Sequence, residues 1–142
     1  MKMDAQLTDY MFDLNGYLIL NGAIEAEDLA AMNRWVDDHM DYVRCPRETD
    51  GKSRWIGRVE TQSYGGQDGV NFQNIVDGGT VFEKLIDYPA WIHLVRKYIA
   101  ANNGLSIHEN FLNIRGKGGH LYIHGGGHFP RQEIAAHVVF LR

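Results

Sequence analysis

Histidine is the residue type whose distribution in this chain could serve chemistry. Five of the seven histidines follow residue 104: His108, His120, His124, His128 and His137. On a strand, His120 and His124 would share one face because side chains alternate. Imidazole nitrogen binds iron, zinc, copper and nickel, and Gly125-Gly126-Gly127 would let the backbone approach a ligand closely. Spacing alone still favours ordinary surface or hydrogen-bonded histidines, since there is neither a His-x-His pair nor a zinc-finger array.

Helical patterns precede these histidines. Ala5 to Leu14 is predicted as a short helix, and Glu25 to Val43 as a longer one with an apolar stripe every three or four residues. Val81 to Ile86 is predicted as a short helical piece, and Pro89 to Ala101 as a helix that the Asn102-Asn103-Gly104 stretch ends. The predicted core residues of these helices are Leu29, Val36, Ile92, Val95 and Ile99.

Strand patterns dominate the region after Gly104. Leu105 to Ile114, Leu121 to His124 and Ile134 to Leu141 are predicted strands, and the first two are expected to pair as antiparallel neighbours across a turn at Arg115 to Gly119. Earlier in the chain, Tyr17 to Leu20 is predicted as a short buried strand. Residues 47–79 are predicted to be mostly loop, with short β-like pieces at Trp55-Ile56 and Phe72 to Val76. Helices followed by antiparallel strands indicate the α+β class.

Three tryptophans and one arginine are further candidates for packing or binding. Trp91 is predicted in the core, and Trp35, off the main stripe of its helix, is expected to pack against a neighbouring element. Trp55 is interpreted as a packed loop anchor rather than as the lining of a substrate entrance. Arg115 is interpreted as a solvated charge on a turn rather than as a contact for an anionic substrate.

The composition excludes several classes of protein. The chain has 142 residues, 44% of them hydrophobic, which predicts one domain with a sizeable core. A formal net charge of -4 argues against a nucleic-acid-binding protein. The single cysteine, Cys45, cannot form an internal disulfide, and neither a signal peptide nor a membrane-spanning stretch is visible. We therefore expect a cytoplasmic protein that is not bound to a membrane.

Several segments together resemble the phytanoyl-CoA dioxygenase family of non-haem iron(II)/2-oxoglutarate oxygenases. Phe12 to Ala23 is similar to the opening of such proteins, in which a short helix meets a Gly-Tyr strand, and the predicted helix that follows is similar too. The other similar segments are Phe82 to Ile92, Glu109 to Arg115 and Ile123 to His128. The likeness covers most of residues 12–128, and the order and spacing of these segments are more specific than any one of them.

The resemblance implies a fold and a chemistry. The fold would consist of N-terminal helices packed on part of a double-stranded β-helix, the jelly-roll or cupin-like sheet. The function would be hydroxylation of a small organic substrate, with Fe(II) and 2-oxoglutarate as cofactors. His124 would be the first ligand of a facial triad of two histidines and one carboxylate, and Asn113 would supply a polar contact to 2-oxoglutarate.

The chain departs from the family pattern in two ways. The common His-x-Asp pair is replaced here by His124 and Gly126; halogenating relatives use such a position for halide, and a bacterial subgroup of the family also carries glycine there. The family's distal histidine and its cosubstrate-binding arginine lie further along than Arg142. We therefore expect residues 1–142 to form a single, incomplete oxygenase domain that binds iron weakly and does not turn over 2-oxoglutarate.

Two alternatives remain beside the hydroxylase. The first is a non-catalytic remnant that acts as an interaction domain, including self-association through an open sheet edge. The second is a halogenase-like enzyme that uses the space at Gly126.

Overall fold

A four-stranded antiparallel sheet lies at the centre of the fold and carries helices on one face. The computed structural model describes residues 5–63, 69–99, 105, 107 and 109–119. Its helices are α1 (Ala5–Asn15), α2 (Ala26–Asp38), α3 (Met40–Arg44), α4 (Thr80–Glu83) and α5 (Ile92–Ile99), and short 3-10 helices span Ile75–Gly78 and Lys84–Ile86. Its strands are β1 (Trp55–Ile56), β2 (Val59–Ser63), β3 (Val70–Gln73) and β4 (Phe111–Ile114).

The strands pair in the order β1-β2-β3-β4, each antiparallel to its neighbour. The predicted α+β class is therefore confirmed. The predicted order of elements is wrong, because β1, β2 and β3 precede α4 and α5 in the chain. Of the described strands, β4 belongs to the region predicted to form strands after Gly104, and it pairs with β3, which lies far earlier in the chain. The hairpin expected between Leu105 to Ile114 and Leu121 to His124 lies in part outside the described residues.

The segment predicted to be mostly loop contains three of the four described strands. The expected strand at Trp55-Ile56 is present, but β2 was missed. The sequence of β2 does not show the alternation of apolar and polar residues that is typical of a half-buried strand, because the polar residue Thr61 is fully buried on the core side. The Thr61 hydroxyl lies 2.7 Å from the Pro46 carbonyl and 2.8 Å from the Arg54 carbonyl, so a polar side chain can occupy this position.

The core forms between the sheet and the helices that cover it. Its buried members are Val59, Phe72, Ile75 and Phe82. Trp35 packs edge-on against two of these rings, with centroid distances of 5.4 Å to Phe72 and 5.3 Å to Phe82. The expectation that Trp35 contacts a neighbouring element is confirmed, and so is the burial of Trp91, which is 5% exposed.

The side of the long helix that packs against the core is not the side predicted from the sequence. Leu29 is 44% exposed, so its assignment to the core is wrong. Trp35 takes the central place because its large ring reaches both the sheet and α4, which a residue on the Leu29 side of the helix cannot do. Val36, Ile92 and Val95 are only half-buried, and the side chain of Ile99 lies outside the described residues.

The predicted helix from Glu25 to Val43 is divided into α2 and α3 at His39. The His39 ring nitrogen Nδ1 lies 2.6 Å from the Trp35 carbonyl oxygen, which a continuing helix would pair with the backbone N–H of His39. That N–H instead donates to Val36 at 3.0 Å, a tighter turn that interrupts the α-helical ladder.

Other predicted elements either are not formed or begin later in the chain than expected. Tyr17 to Leu20 is not a strand, and its alternate residues Tyr17 and Ile19 are 61% and 69% exposed. The helix expected from Pro89 begins at Ile92, after a turn in which Trp91 N–H donates to the Tyr88 carbonyl. The strand expected from Leu105 begins only at Phe111.

Two aspartates, Asp28 and Asp9, connect the helices, because each accepts hydrogen bonds from a lysine and a tyrosine of another segment. Lys84 and Tyr88 both donate to the Asp28 carboxylate, at 2.6 and 2.9 Å, and so join α2 to the segment before α5. Lys97 and Tyr98 on α5 donate to Asp9 on α1 in the same manner.

None of the helices in the part of the chain described here has the length and apolar character needed to cross a membrane.

Candidate functional site

The face of the sheet that points away from the core carries polar side chains. Directly opposed residues of antiparallel strands share a face, so the register places Gln62, Asn71 and Asn113 in one row across β2, β3 and β4. The next row contains Trp55, Glu60, Gln73 and Phe111. We refer to these seven residues as the polar face.

Asn71 and Asn113 form the centre of the polar face. The Asn113 side-chain amide Nδ2 donates a hydrogen bond to Oδ1 of Asn71 across the β3–β4 pair. Asn71 is only 8% exposed, so this bond satisfies a buried polar group. At the other end of the row, Gln62 Nε2 donates to the Glu60 carboxylate at 2.8 Å. The structure thus places Asn113, singled out by the resemblance, in a hydrogen-bonded pair with Asn71, and a second pair, Gln62 and Glu60, lies on the same face.

Arg115 follows β4 directly, two residues after Asn113. It is half-buried, and its Nε atom is buried with no hydrogen-bond partner among the described residues. The interpretation of Arg115 as a solvated turn charge is therefore wrong. The turn itself begins one residue later, with the Gly119 N–H donating to the Gly116 carbonyl at 3.0 Å, and Lys117 in that turn is exposed.

Gly69 leaves room for Arg115. A Cβ atom at Gly69 would lie 2.2 Å from the Ile114 carbonyl oxygen and 3.0 Å from Cγ of Arg115, so a larger residue would collide with both. The φ angle of Gly69 is also +77°, a conformation that favours glycine. The arginine side chain and the strand end therefore depend on a glycine at this position.

Aromatic side chains lie at both ends of the second row. Trp55 is 53% exposed and Phe111 is 41% exposed, which shows that the interpretation of Trp55 as a packed anchor is wrong. Trp55 instead lines an open groove of about 800 Å³, together with Glu48, Asp50, Gly51, Lys52, Ser53 and Glu60. Lys52 pairs with Asp50 at 2.7 Å, so part of the charge in the groove is already neutralised.

The predicted metal ligand, His124, lies outside the described residues, as do Gly126 and the strands expected at Leu121 to His124 and Ile134 to Leu141. Over residues 5–63, 69–99 and the described positions up to 119, no group of three metal-binding side chains is present. The polar face offers the side-chain amides of Gln62, Asn71, Gln73 and Asn113, together with the carboxylate of Glu60.

The largest pKa shift lies in the helical layer, away from the polar face. The hydrogen bond that Tyr98 donates to Asp9, together with burial, raises the pKa of Tyr98 to about 12. Hydrogen bonds from Lys84 and then Tyr88 hold the pKa of Asp28 below its ordinary value. The hydrogen bond to Asp41 raises the pKa of Arg54. Because each shift follows from a pairing that joins two elements, these groups stabilise the fold rather than mark a reactive centre.

Sequence reasoning missed Asn71 and Gln62. Val70-Asn71-Phe72-Gln73 alternates apolar and polar residues, which is the period of a half-buried strand and could have identified Asn71 as an outward-facing position. Its pairing with a residue 42 positions later is long-range and leaves no local signal.

Comparisons with known proteins identified no relative for this chain: no protein-family model, no curated protein and no solved structure matches it significantly.

Proposed function

We propose that this chain forms part of an iron(II)- and 2-oxoglutarate-dependent oxygenase of the phytanoyl-CoA dioxygenase type, which hydroxylates a small organic substrate. In this proposal the four described strands belong to a partial double-stranded β-helix, and the polar face lines its ligand pocket. His124 binds the iron, and Asn113 contacts 2-oxoglutarate. Bound iron would supply the activation of dioxygen, with 2-oxoglutarate decarboxylated to succinate.

The position of Asn113 gives this function its most direct support. The resemblance assigns Asn113 a cosubstrate contact, and its side chain belongs to the polar face, hydrogen-bonded to the buried Asn71. Residues 111–114 also precede His124 by about ten positions, which is enough chain for a turn and a neighbouring strand.

The chemistry of the neighbouring groups fits a polar cosubstrate better than a bare metal ion. Amides donate and accept hydrogen bonds but are weak ligands for iron, whereas imidazole and carboxylate are strong ones. The only acidic residue in β1 to β4 is Glu60, which already accepts a hydrogen bond from Gln62. The proposal assigns iron binding to His124, and the dependence of iron binding on this residue can be measured.

The test is anaerobic binding of iron(II) to the 142-residue chain and to its His124→Ala variant. We expect weak binding in the parent chain and a loss of at least about tenfold in the variant, because removal of a metal ligand removes most of the affinity of a site with few ligands. His93→Ala is the matched control, since His93 is an exposed histidine on α5. Equal binding by the parent and His124→Ala proteins would contradict the proposal.

Succinate formation gives a second measurement. With iron(II), ascorbate and 2-oxoglutarate, we expect no succinate from the isolated chain, because one identified protein ligand does not make a facial triad. Succinate that disappears in His124→Ala would support the family assignment and show that a complete site forms within these residues or between copies of the chain. Succinate that persists in His124→Ala would contradict the role of His124.

A second candidate function is that of a non-catalytic interaction domain. One observation favours it: α1 carries exposed apolar residues at helical spacing on the side away from α5, namely Leu7, Tyr10, Met11 and Leu14. Exposed apolar surface of this kind marks an interaction site when it is contiguous. Sedimentation velocity over a range of concentrations tests self-association, which Leu14→Asp should weaken; a monomer at all concentrations would exclude self-association through this surface.

A further inference from the structure

Trp55 and Glu60 lie side by side in the wall of the open groove. They are directly opposed residues of β1 and β2, and such residues have Cβ atoms about 4.5–5.5 Å apart on one face of a sheet. Both side chains line the groove, whose volume is about 800 Å³. Sites for small molecules have volumes of about 300–1,000 Å³. The groove is therefore large enough for a small organic ligand.

The indole ring of Trp55 gives the groove an aromatic surface. Trp55 is 53% exposed, whereas Trp91 is 5% exposed. Within residues 5–63, 69–99 and 109–119, none of the ring contacts or cation–π contacts includes Trp55. The face of an indole ring carries partial negative charge and attracts cations more strongly than other aromatic side chains do.

Carboxylates outnumber cationic groups along the groove. Glu48, Asp50 and Glu60 line it, and Lys52 is the one basic residue among the lining side chains. A cleft lined mainly by one sign of charge attracts ligands of the opposite sign. The charge of the groove therefore favours a cation over a neutral molecule or an anion.

The contacts of these carboxylates favour an organic cation over a metal ion. Asp50 Oδ2 lies 2.7 Å from Lys52 Nζ, and Glu60 Oε2 accepts a hydrogen bond from Gln62 at 2.8 Å. No group of three metal-binding side chains is present in the described part of the chain. An alkylated ammonium group needs no new hydrogen bond, because its methyl groups can contact the Trp55 ring while the carboxylates attract its charge.

The loop that carries Glu48 and Asp50 is fixed by its own hydrogen bonds. The Glu48 N–H donates to the Lys52 carbonyl at 2.8 Å, and the Gly51 N–H donates to the Glu48 carbonyl at 2.9 Å. The Lys52 N–H donates to Asp50 Oδ1 at 3.0 Å. A wall that is already ordered lowers the conformational entropy lost on binding.

From these observations we propose that the groove binds the alkylated ammonium group of a small organic cation. The ring of Trp55 provides the contact surface, and Glu60 provides the carboxylate beside it. One aromatic ring in an open groove gives weak binding, with a Kd on the order of millimolar. The inference goes beyond the proposed function and does not depend on it, because iron and 2-oxoglutarate are assigned there to His124 and Asn113.

The experiment is a titration of the 142-residue chain with choline at constant ionic strength, in which NMR follows the backbone amide signals of Gly51 and Ser53. A parallel titration uses the neutral carbon isostere of choline, in which a tert-butyl group replaces the trimethylammonium group. We expect saturable shifts with choline and at least about fivefold weaker binding of the isostere, which lacks the charge that the ring and the carboxylates attract.

Substitutions of Trp55 and Glu60 should both weaken choline binding. We expect a loss of about fivefold in Trp55→Leu and about threefold in Glu60→Gln, with Trp55→Phe between the parent and Trp55→Leu. Phe111→Leu is the control for the ring, because Phe111 is 41% exposed and does not line the groove. Glu83→Gln is the control for the charge, at an exposed position of α4. Each control should change the affinity by less than about twofold.

Lys52→Gln tests the sign of the electrostatic contribution. It removes the one cation that lines the groove and releases Asp50 from its ion pair, so choline should bind about twofold more tightly or better. The Lys52 side chain is 81% exposed, so the fold should tolerate the change. Weaker choline binding in Lys52→Gln would contradict the attraction between the carboxylates and the cation.

Three results would overturn the inference: no saturable choline binding, equal affinity for choline and its isostere, or unchanged affinity in Trp55→Leu. Failure of the inference can be distinguished from failure of the proposed function, because the titration contains no iron and no 2-oxoglutarate. Choline binding that depends on Trp55, in a chain whose iron binding does not depend on His124, would support the groove while contradicting the oxygenase.

Discussion

Phe72 and Asn71 are neighbours in β3, yet they enter two very different environments. Phe72 is fully buried and contacts the edge-on ring of Trp35 on the helix-covered face. Asn71, on the polar face, is 8% exposed and accepts a hydrogen bond from Asn113. One face of the sheet is thus stabilised by apolar contact with the helices, and the other by hydrogen bonds between amides of adjacent strands.

Under the proposed function, the two faces of the sheet would have different roles, one in stability and the other in ligand binding. The free energy of apolar burial is non-directional and depends mainly on the apolar area that is removed from water. The helix-covered face can therefore stabilise the fold without contacting a ligand. Hydrogen-bonding side chains contribute less net stability but offer direction and charge complementarity to a ligand. Asn113 lies on the polar face, and Arg115 follows it two residues later in the chain.

The largest effect is expected from Phe72→Ala. Removal of a fully buried phenyl ring loses transfer free energy and leaves a cavity, which together cost about 3–5 kcal/mol. Phe111→Ala is the matched control on the adjacent strand and the opposite face; because Phe111 is 41% exposed, its loss should cost less than about 1 kcal/mol. Urea unfolding measures both, and similar costs for the two variants would contradict the contrast between the faces.

A smaller, pH-dependent effect is expected from Asp28→Asn in the helical layer. Hydrogen bonds from Lys84 and Tyr88 lower the pKa of Asp28 below its ordinary value of 3.8. A carboxyl with a lowered pKa stabilises the folded state above the unfolded-state pKa, and this contribution is lost as the pH falls through the folded-state pKa. The difference in Tm between parent and variant should therefore be largest near neutral pH and should vanish in strong acid.

The Asp28 contribution should also decrease with salt, because Lys84 is half exposed and its attraction is screened. Asp37→Asn, at an exposed position of the same helix, is the control. A Tm difference between parent and Asp28→Asn that stays constant from neutral pH into strong acid would show that the hydrogen bonds to Asp28 do not stabilise the fold.

The smallest effect is expected from Leu29→Asp. The sequence placed Leu29 in the core, where a charged substitution would unfold the protein, but its 44% exposure predicts a change within about 0.5 kcal/mol. Circular dichroism and urea unfolding can measure this directly. Loss of cooperative unfolding in Leu29→Asp would restore the original core assignment and contradict the orientation of α2.

Local signals account for the elements that the sequence predicted well. The first helix has its own periodic pattern, and the structure places it at Ala5–Asn15, one residue longer than expected. The short helical piece after residue 80 is likewise present, divided between α4 and the 3-10 helix Lys84–Ile86. Trp91 could be assigned to the core because a large aromatic residue in a helical segment is usually buried.

Features that depend on distant partners were not predictable from pattern. The inward position of Thr61 needs acceptors at Pro46 and Arg54, which only the fold brings together. The same is true of the Asn71–Asn113 pair and of the burial of Arg115 beside Gly69. Asn113 was singled out by a resemblance rather than by its own spacing, which is why its partner Asn71 was missed.

The most direct test of the division between the two faces uses adjacent residues of β4. Leu112 packs against the core, and Asn113 lies on the polar face. Each is replaced by alanine, and the free energy of unfolding in urea and the affinity for 2-oxoglutarate are both measured. We predict that Leu112→Ala loses about 2 kcal/mol or more of stability while its folded form keeps the affinity of the parent, whereas Asn113→Ala loses about 1 kcal/mol and binds 2-oxoglutarate at least about tenfold more weakly. Unchanged affinity in Asn113→Ala, or an equal loss of affinity in Leu112→Ala, would contradict the account.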